Sequence, residues 1–234
     1  MKAVSAKNWA LPVIGGRRYS TGVPPEDEFF VDFSGLSDQN PLNPSQWLHG
    51  ETDGGDWLDF QVLNGRACGG AYSSDPPPPY NDSIAILKPS AFACDSNQFA
   101  ERVVYLTPGY TAPNKTHECG LFLRFTLSDG VASGYEAYWN VRGNFAVVRW
   151  NGALNSFNVL SGTGPGPGTP AHGDVFRFEA EGSTLRVLKN GVLVRTSTST
   201  TFTTGQPGMQ SYVDPTLDFS DYGFQSFRCG NIVA

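Results

Sequence analysis

The sequence predicts an all-β protein, a sandwich of two antiparallel sheets that follows an extended N-terminal arm. Glycine and proline account for 27 and 17 of the 234 residues, and they interrupt the chain at short intervals. No long stretch places apolar residues at the 3.6-residue period of an amphipathic helix. Short segments instead alternate apolar and polar residues, as strands with one buried face do. We therefore predict an arm of residues 1–25 and a single sandwich domain of residues 26–234.

The clearest strands lie in the middle of the chain. They are Leu121–Leu127, Tyr135–Val141, Phe145–Trp150 and Leu154–Leu160. The segment Arg142–Asn144 predicts a turn between two of them, and Asn151-Gly152 is a dipeptide that favours hairpin turns. These strands should be antiparallel neighbours in one sheet.

A second group of strands follows a loop rich in glycine and proline, Ser161–Ala171. This loop should not pair in a sheet, because proline lacks the N–H donor. The predicted strands after it are Asp174–Ala180, Thr184–Leu188, Val192–Thr196 and Asp218–Phe227. Asn190-Gly191 predicts a hairpin turn inside this group.

Charge and hydropathy limit the partners of the protein. The formal net charge is −6 and the pI is about 5.0, so we expect no binding to nucleic acid. The basic residues of the arm, Lys2, Lys7, Arg17 and Arg18, are accompanied by no acidic residue, so the arm could contact other chains of a larger assembly. No apolar run is long enough to span a membrane.

Several segments of the second half follow one order of strands and turns, namely 173–194, Phe202–Met209 and Asp221–Phe224, with Gly120–Arg124 and Gly134–Glu136 upstream. In this order they resemble the concanavalin A-like jelly rolls, in particular the laminin-G-like domains. The similarity covers residues 119–227 well and residues 29–118 loosely. The resemblance implies a jelly-roll sandwich, but this fold carries lectins, adhesion modules, polysaccharide-active enzymes and viral surface proteins.

Catalytic members of the fold need a pair of carboxyl groups at a defined separation. The E-x-D-x-x-E and E-x-D-x-E runs of one enzymatic branch are missing from this sequence. Glu136 is the only acidic residue that we place in the central strands. A lone carboxyl group suits the binding of sugar hydroxyls better than the cleavage of a glycosidic bond.

The alternation of the central strands predicts a ligand-binding patch on the concave sheet. If Leu121, Leu123 and Phe125 face the core, Arg124 faces outward, and the next strand presents its polar residues on the same side. Aromatic rings stack on sugar C–H groups, while amide and charged groups bind hydroxyls. The candidate ligand-binding residues are Arg124, Glu136, Tyr138, Asn140, Trp150 and Trp57.

Two further features concern metals and redox state. Many proteins of the resembled family hold a structural calcium ion between the first and last strands, and Asp27 and Asp221 occupy the matching positions, where their oxygens would suit Ca²⁺.

The four cysteines, Cys68, Cys94, Cys119 and Cys229, allow three pairings into two disulfides or four buried thiols.

Together these observations favour a non-catalytic jelly-roll module that binds a glycan or polysaccharide, or that is displayed on a virion or fibre. Such a module would act outside the cell or on a virion surface. Two alternatives remain, a secreted polysaccharide-active hydrolase or lyase and an adhesion domain that recognises protein.

Overall fold

The computed structural model describes residues 28–53, 55–70, 82–110, 116–128, 131–152, 156–214 and 217–232. Secondary structure in these segments consists of fifteen strands and two short 3₁₀ turns, Phe33–Gly35 and Glu51–Asp53. The strands are β1 (Glu28–Asp32), β2 (Trp47–His49), β3 (Leu58–Leu63), β4 (Arg66–Gly69), β5 (Asp82–Leu87), β6 (Gln98–Leu106), β7 (His117–Ser128), β8 (Val131–Asn140), β9 (Asn144–Gly152), β10 (Phe157–Pro165), β11 (Val175–Glu181), β12 (Thr184–Lys189), β13 (Val192–Thr198), β14 (Gln206–Val213) and β15 (Tyr222–Asn231).

The strands form two layers. The first layer has the order β10-β9-β8-β7-β14-β5, with β2 also paired to β5. The second layer has the order β13-β12-β11-β6-β15, with β1 and β4 also paired to β15. Strand β3 belongs to both, because Leu58 and Asp59 pair with β5 while the segment Phe60–Leu63 pairs with β4. The predicted all-β sandwich is thereby confirmed.

The hydrophobic core lies between the two layers. Trp139 of the first layer stacks on Phe176 of the second, with ring centroids 5.6 Å apart. Trp47 meets Phe227 edge to face at 5.3 Å. A second, smaller hydrophobic cluster contains Phe122 and Val148, whose side chains point to the opposite face of the first layer. We call this opposite side the outer face.

Two strands differ in extent from the prediction. Strand β10 continues to Pro165, inside the predicted loop, and its pairing with β9 is irregular, with register shifts between Val159 and Ser161 and between Ser161 and Gly164. Strand β15 begins only at Tyr222, because the Asp218 carboxylate accepts hydrogen bonds from the backbone N–H and the hydroxyl of Ser220 at 2.8 and 2.6 Å. This local turn competes with strand pairing, so the strand begins later in the sequence than predicted.

A bulge in β7 changes the predicted alternation. The register between β7 and β8 shifts after Leu123, and Arg124 adopts a left-handed backbone conformation with φ of +49°. An extra residue in one strand reverses the facing of the residues that follow it. Phe125 therefore packs in the outer-face cluster beside Phe122, at a centroid distance of 4.0 Å, and the prediction that it faces the core is wrong.

The predictions for residues 1–25 and for Asp27 lie outside the described residues. Within the described segments, no helix is both long enough and apolar enough to cross a membrane.

Candidate functional site

A row of polar side chains crosses four neighbouring strands on the outer face. Asn140 of β8 lies opposite Glu118 of β7, which lies opposite Tyr212 of β14, which in turn lies opposite Asp82 of β5. Residues directly opposite each other in antiparallel strands project to the same side of the sheet. Residues far apart in the sequence therefore form one continuous polar strip.

The next row along these strands brings further polar groups towards the strip. It contains Tyr138, Gly120 and Gln210. Gly120 has no side chain, and the Oε1 atoms of Gln210 and Glu136 both come within 3.0 Å of the point where a Cβ atom would lie. The amide of Gln210 donates to Asp82 Oδ1 at 2.9 Å. Because a side chain at this position would displace both groups, Gly120 lets a carboxyl group and an amide converge.

Four side chains of these rows are partly exposed, namely Asp82, Glu118, Tyr138 and Tyr212. We call these four residues the acid–tyrosine face. Glu136, Gln210 and Asn140 are buried behind them. The face thus offers two aromatic rings and two carboxyl groups to a ligand, supported by polar groups that are removed from solvent.

Burial shifts the protonation of the carboxyl groups. It raises the pKa of Glu118 to about 8; the Asp82 charge adds to this effect, and a hydrogen bond from Asn140 opposes it. Burial also raises the pKa of Asp82 to about 6, against a hydrogen bond from Gln210. At neutral pH Asp82 is therefore mostly ionised, whereas Glu118 mostly keeps its proton and can donate a hydrogen bond.

Glu136 is the most deeply buried of the three carboxyl groups, with 2% of its surface exposed. Its Oε2 accepts a hydrogen bond from Trp150 Nε1 at 2.6 Å. Burial raises its pKa well above the ordinary value, and the nearby charges of Asp82 and Glu118 act in the same direction. Glu136 therefore holds its proton more tightly than an exposed glutamate does.

The neighbouring part of the outer face is apolar. The rings of Trp57 and Trp150 meet at 4.8 Å, and Trp57 meets Phe122 at 6.1 Å. Trp57 is fully buried and Trp150 is 5% exposed. Tyr138 packs against this cluster and so joins the apolar part to the polar strip.

The structure places most of the predicted site residues on one face. Those that share the outer face are Glu136, Tyr138, Asn140, Trp150 and Trp57. The expectation that they form an exposed patch is wrong, because Tyr138 is partly exposed and the other four are buried. The Asn140 side chain also accepts hydrogen bonds from the backbone N–H groups of Arg142 and Asn144 at 3.0 and 2.9 Å, which stabilise the turn into β9.

Arg124 does not join this group. Its guanidinium donates to the carbonyl oxygens of Ser96 and Phe202 at 2.8 and 3.1 Å. The β7 bulge directs the side chain towards these segments, so Arg124 does not share the outer face with Glu136 as the alternation predicts. Arg124 lines a separate small pocket with residues such as Asn97, Ser183 and Thr200.

Sequence reasoning missed Asp82, Glu118, Gln210 and Tyr212. The statement that Glu136 is the only acidic residue of the central strands is wrong, since Glu118 lies in β7 and Asp82 lies in β5. Had the predicted strand begun before Leu121, the alternation of its side chains would have placed Glu118 on the same side as Phe122. No local signal indicates that β14 and β5 lie beside β7.

Of the two predicted calcium ligands, Asp221 belongs to the described residues and Asp27 does not. Asp221 precedes β15 and its backbone carbonyl accepts a hydrogen bond from the Thr107 N–H at 2.9 Å. Among the described residues, no group of three or more His, Cys, Asp or Glu side chains is arranged to hold a metal ion.

No protein family and no curated protein matches the sequence. Solved structures do match it. A carbohydrate-binding module from Bacillus subtilis is similar over 80% of this chain and 92% of its own, with 15% identity and a TM-score of 0.51. The carbohydrate recognition domain of Emp46p in its potassium-bound form is similar over 87% and 96%, with 10% identity and a TM-score of 0.53. LamAcat from Zobellia galactanivorans is similar over 87% and 96%, with 14% identity and a TM-score of 0.53. These similarities show that the chain has the concanavalin A-like jelly-roll fold.

Proposed function

We propose that this protein binds glycans on the acid–tyrosine face. The observation that carries the proposal is the presence of two partly exposed tyrosines and two partly exposed carboxyl groups on one face of four adjacent strands. Tyrosine rings stack on the C–H faces of sugars, and carboxyl groups exchange hydrogen bonds with hydroxyls. The carbohydrate-binding proteins among the similar structures support the same function.

The charge of the face favours neutral or amine-bearing sugars. The ionised Asp82 repels carboxylate or sulfate groups, and the described residues of the rows around it include no lysine or arginine. The protonated Glu118 supplies a donor for a sugar oxygen, while Asp82 accepts from a hydroxyl or an ammonium group. Acidic polysaccharides should therefore bind more weakly than neutral ones.

Calorimetric titration with three sets of oligosaccharides tests the proposal: neutral, amine-bearing and uronate-containing. The Tyr138→Ala and Tyr212→Ala variants should each lose roughly 1–2 kcal/mol of binding free energy, about 5- to 30-fold in Kd. Tyr105→Ala is a matched control, because it removes a partly exposed tyrosine from the second layer, where the ring contacts Arg66 at 4.5 Å. Equal affinities in the wild type and both face variants would contradict the proposal.

A glycoside-cleaving enzyme is the second candidate, and the pair of Asp82 and Glu118 favours it. The two residues lie in one row, two strand spacings apart, which corresponds to about 9.6 Å between their backbones. Inverting glycosidases hold their two carboxyl groups about 6.5–9.5 Å apart and keep one of them protonated. Glu118, with a pKa of about 8, suits the general acid, and Asp82 suits the base that activates water.

An assay for the release of reducing ends from polysaccharides distinguishes catalysis from binding alone. If the protein is an enzyme, Glu118→Gln and Asp82→Asn should abolish cleavage while both proteins still bind the substrate. If the wild type binds a glycan and releases no reducing ends over hours, the protein is a binding module without this activity.

We further propose a structural calcium ion held by Asp27 and Asp221. Ligand binding to the native state raises stability by about 2.7 kcal/mol at a hundredfold excess over Kd. A melting temperature that falls on addition of a chelator and recovers with Ca²⁺ would support the site, and an unchanged melting temperature would contradict it.

The basic arm forms the last part of the proposal. Residues 1–25 combine cationic and apolar side chains, and we propose that they contact another chain of a virion or fibre assembly at an extracellular or particle surface. Deletion of the arm should abolish assembly, measured by light scattering, and leave the melting temperature of the sandwich nearly unchanged. A large loss of stability on deletion would mean that the arm packs on its own domain.

A further inference from the structure

Two of the four cysteines lie side by side at one end of the sandwich. Cys229 belongs to β15, opposite Phe29 of β1 and Ala100 of β6, and its side chain is fully buried. Cys94 precedes β6, is partly exposed and packs against the core cluster that contains Cys229. Burial raises the pKa of the Cys229 thiol, and the nearby Cys94 thiol acts in the same direction.

Two hydrogen bonds hold the segment around Cys94 against the end of β15. The Asp95 N–H donates to Asn231 Oδ1 at 2.7 Å, and the Ile232 N–H donates to the Asn97 carbonyl at 2.9 Å. Both contacts lie within three residues of each cysteine, so the folded chain brings the segment that carries Cys94 next to the end of the strand that carries Cys229.

We propose that Cys94 and Cys229 form a disulfide by exchange with an external disulfide of the glutathione or oxidoreductase class.

The exchange begins at Cys94, the more accessible sulfur. Its thiolate attacks one sulfur of the external disulfide, so that a mixed disulfide forms and one thiol leaves. The Cys229 thiolate then attacks Cys94 Sγ and displaces the second thiol. Both cysteines are oxidised, the external disulfide is reduced to two thiols, and the two protons of the protein thiols pass to them.

Cys68 and Cys119 provide a comparison within the same chain. Both are fully buried, and burial raises their pKa values to about 12 and about 11. Cys119 Sγ contacts Ser211 Oγ at 3.9 Å and the Tyr222 carbonyl at 3.6 Å. Neither sulfur is accessible to an external disulfide, so these two residues should remain thiols in the folded protein.

The cross-link would stabilise the segment that carries Ser96 and Asn97. Ser96 accepts the hydrogen bond from Arg124 Nε, and Asn97 Oδ1 accepts from the Gly182 N–H at 2.9 Å. A covalent bond between this segment and the last strand therefore fixes one wall of the pocket lined by Arg124 and closes a long loop of the chain.

Peptide mapping of the full chain tests the proposal. The reduced protein is incubated with oxidised glutathione, free thiols are alkylated after unfolding, and the chain is cleaved before aspartate, which places each cysteine in a different peptide. The expected product joins the peptide 82–94 to the peptide that contains Cys229, with Cys68 and Cys119 alkylated. Oxidation should also raise the melting temperature by roughly 5–10 °C.

Variants separate this pairing from the alternatives. Cys94→Ser should lose the cross-linked product and the rise in melting temperature, whereas Cys68→Ser should keep both. Alkylation of Cys94 in the oxidised wild type, a pairing with Cys68 or Cys119, or an unchanged melting temperature would each overturn the proposal.

Discussion

At the scale of single residues, Glu136 combines deep burial with a hydrogen bond from the Trp150 indole. Because the pKa of Glu136 is raised, the folded state keeps the proton of this residue at pH values above 4.5, the ordinary pKa at which the unfolded chain releases it. This difference lowers stability as the pH rises above that value. Glu136→Gln should therefore stabilise the protein at pH 8, because the amide oxygen can still accept from Trp150 and the unfolded chain no longer gains free energy by ionising this residue.

Urea denaturation at pH 8 and at pH 4 measures this effect. The variant should gain at least about 1 kcal/mol over the wild type at pH 8 and much less at pH 4. Glu51→Gln, in an exposed 3₁₀ turn, is the control and should change neither value. A loss of stability at pH 8 would show that folding does not raise the pKa of Glu136.

At the scale of elements, the turn between β12 and β13 depends on Asn190 and Gly191. Both have positive φ angles, +52° and +78°, as a two-residue type I′ hairpin requires. Asn190 Oδ1 accepts from the Val175 N–H at 2.7 Å, and its Nδ2 donates to Asp174 Oδ1 at 2.8 Å. The side chain thus ties the hairpin to the start of β11.

Asn190→Ala should cost roughly 1–2 kcal/mol of unfolding free energy, since it removes both hydrogen bonds and places alanine in the left-handed region. Val192→Ala is the control in the same hairpin, because 68% of the valine side chain is exposed. Chemical denaturation of both variants checks the difference. A change below about 0.3 kcal/mol for Asn190→Ala would contradict the role of this turn.

At the scale of the whole molecule, opposite pKa shifts set the pH dependence of stability. Burial lowers the pKa of His117 to about 3, so its contribution is lost as the pH falls below 6.5. The raised pKa of Glu118 acts in the other direction, because the folded state binds more protons than the unfolded chain up to a pH of about 8. The effect of His117 is therefore small above pH 6.5, and the effect of Glu118 continues up to a pH of about 8.

The free energy of unfolding should therefore fall from pH 6.5 to pH 8, by at most about 1.4 kcal/mol per pH unit for each buried carboxyl group. Glu118→Gln should make this decline shallower, while Glu51→Gln should leave it unchanged. Denaturation curves at half-unit pH intervals provide the measurement. A stability that is constant or rises over this interval would show that Glu118 is ionised in the folded protein.

Local patterns in the sequence determined the strands and turns of the second half. The alternation in residues 174–196 places β11, β12 and β13 within two residues of their observed bounds, and Asn190-Gly191 forms the predicted turn. The period of two also placed Glu136 and Tyr138 on the same side of β8. Such features depend on backbone preferences and on which side of a strand is apolar, so neighbouring residues are sufficient to predict them.

The tertiary structure alone decided which residues meet on the outer face. Asp82, Glu118, Tyr138 and Tyr212 come from four strands, and their proximity depends on the order β8-β7-β14-β5. The bulge at Arg124 likewise depends on how β7 fits its neighbours and reverses the facing of Phe125. Strand order and register are chosen by the burial of apolar surface across distant parts of the chain, and no short segment of the sequence contains that information.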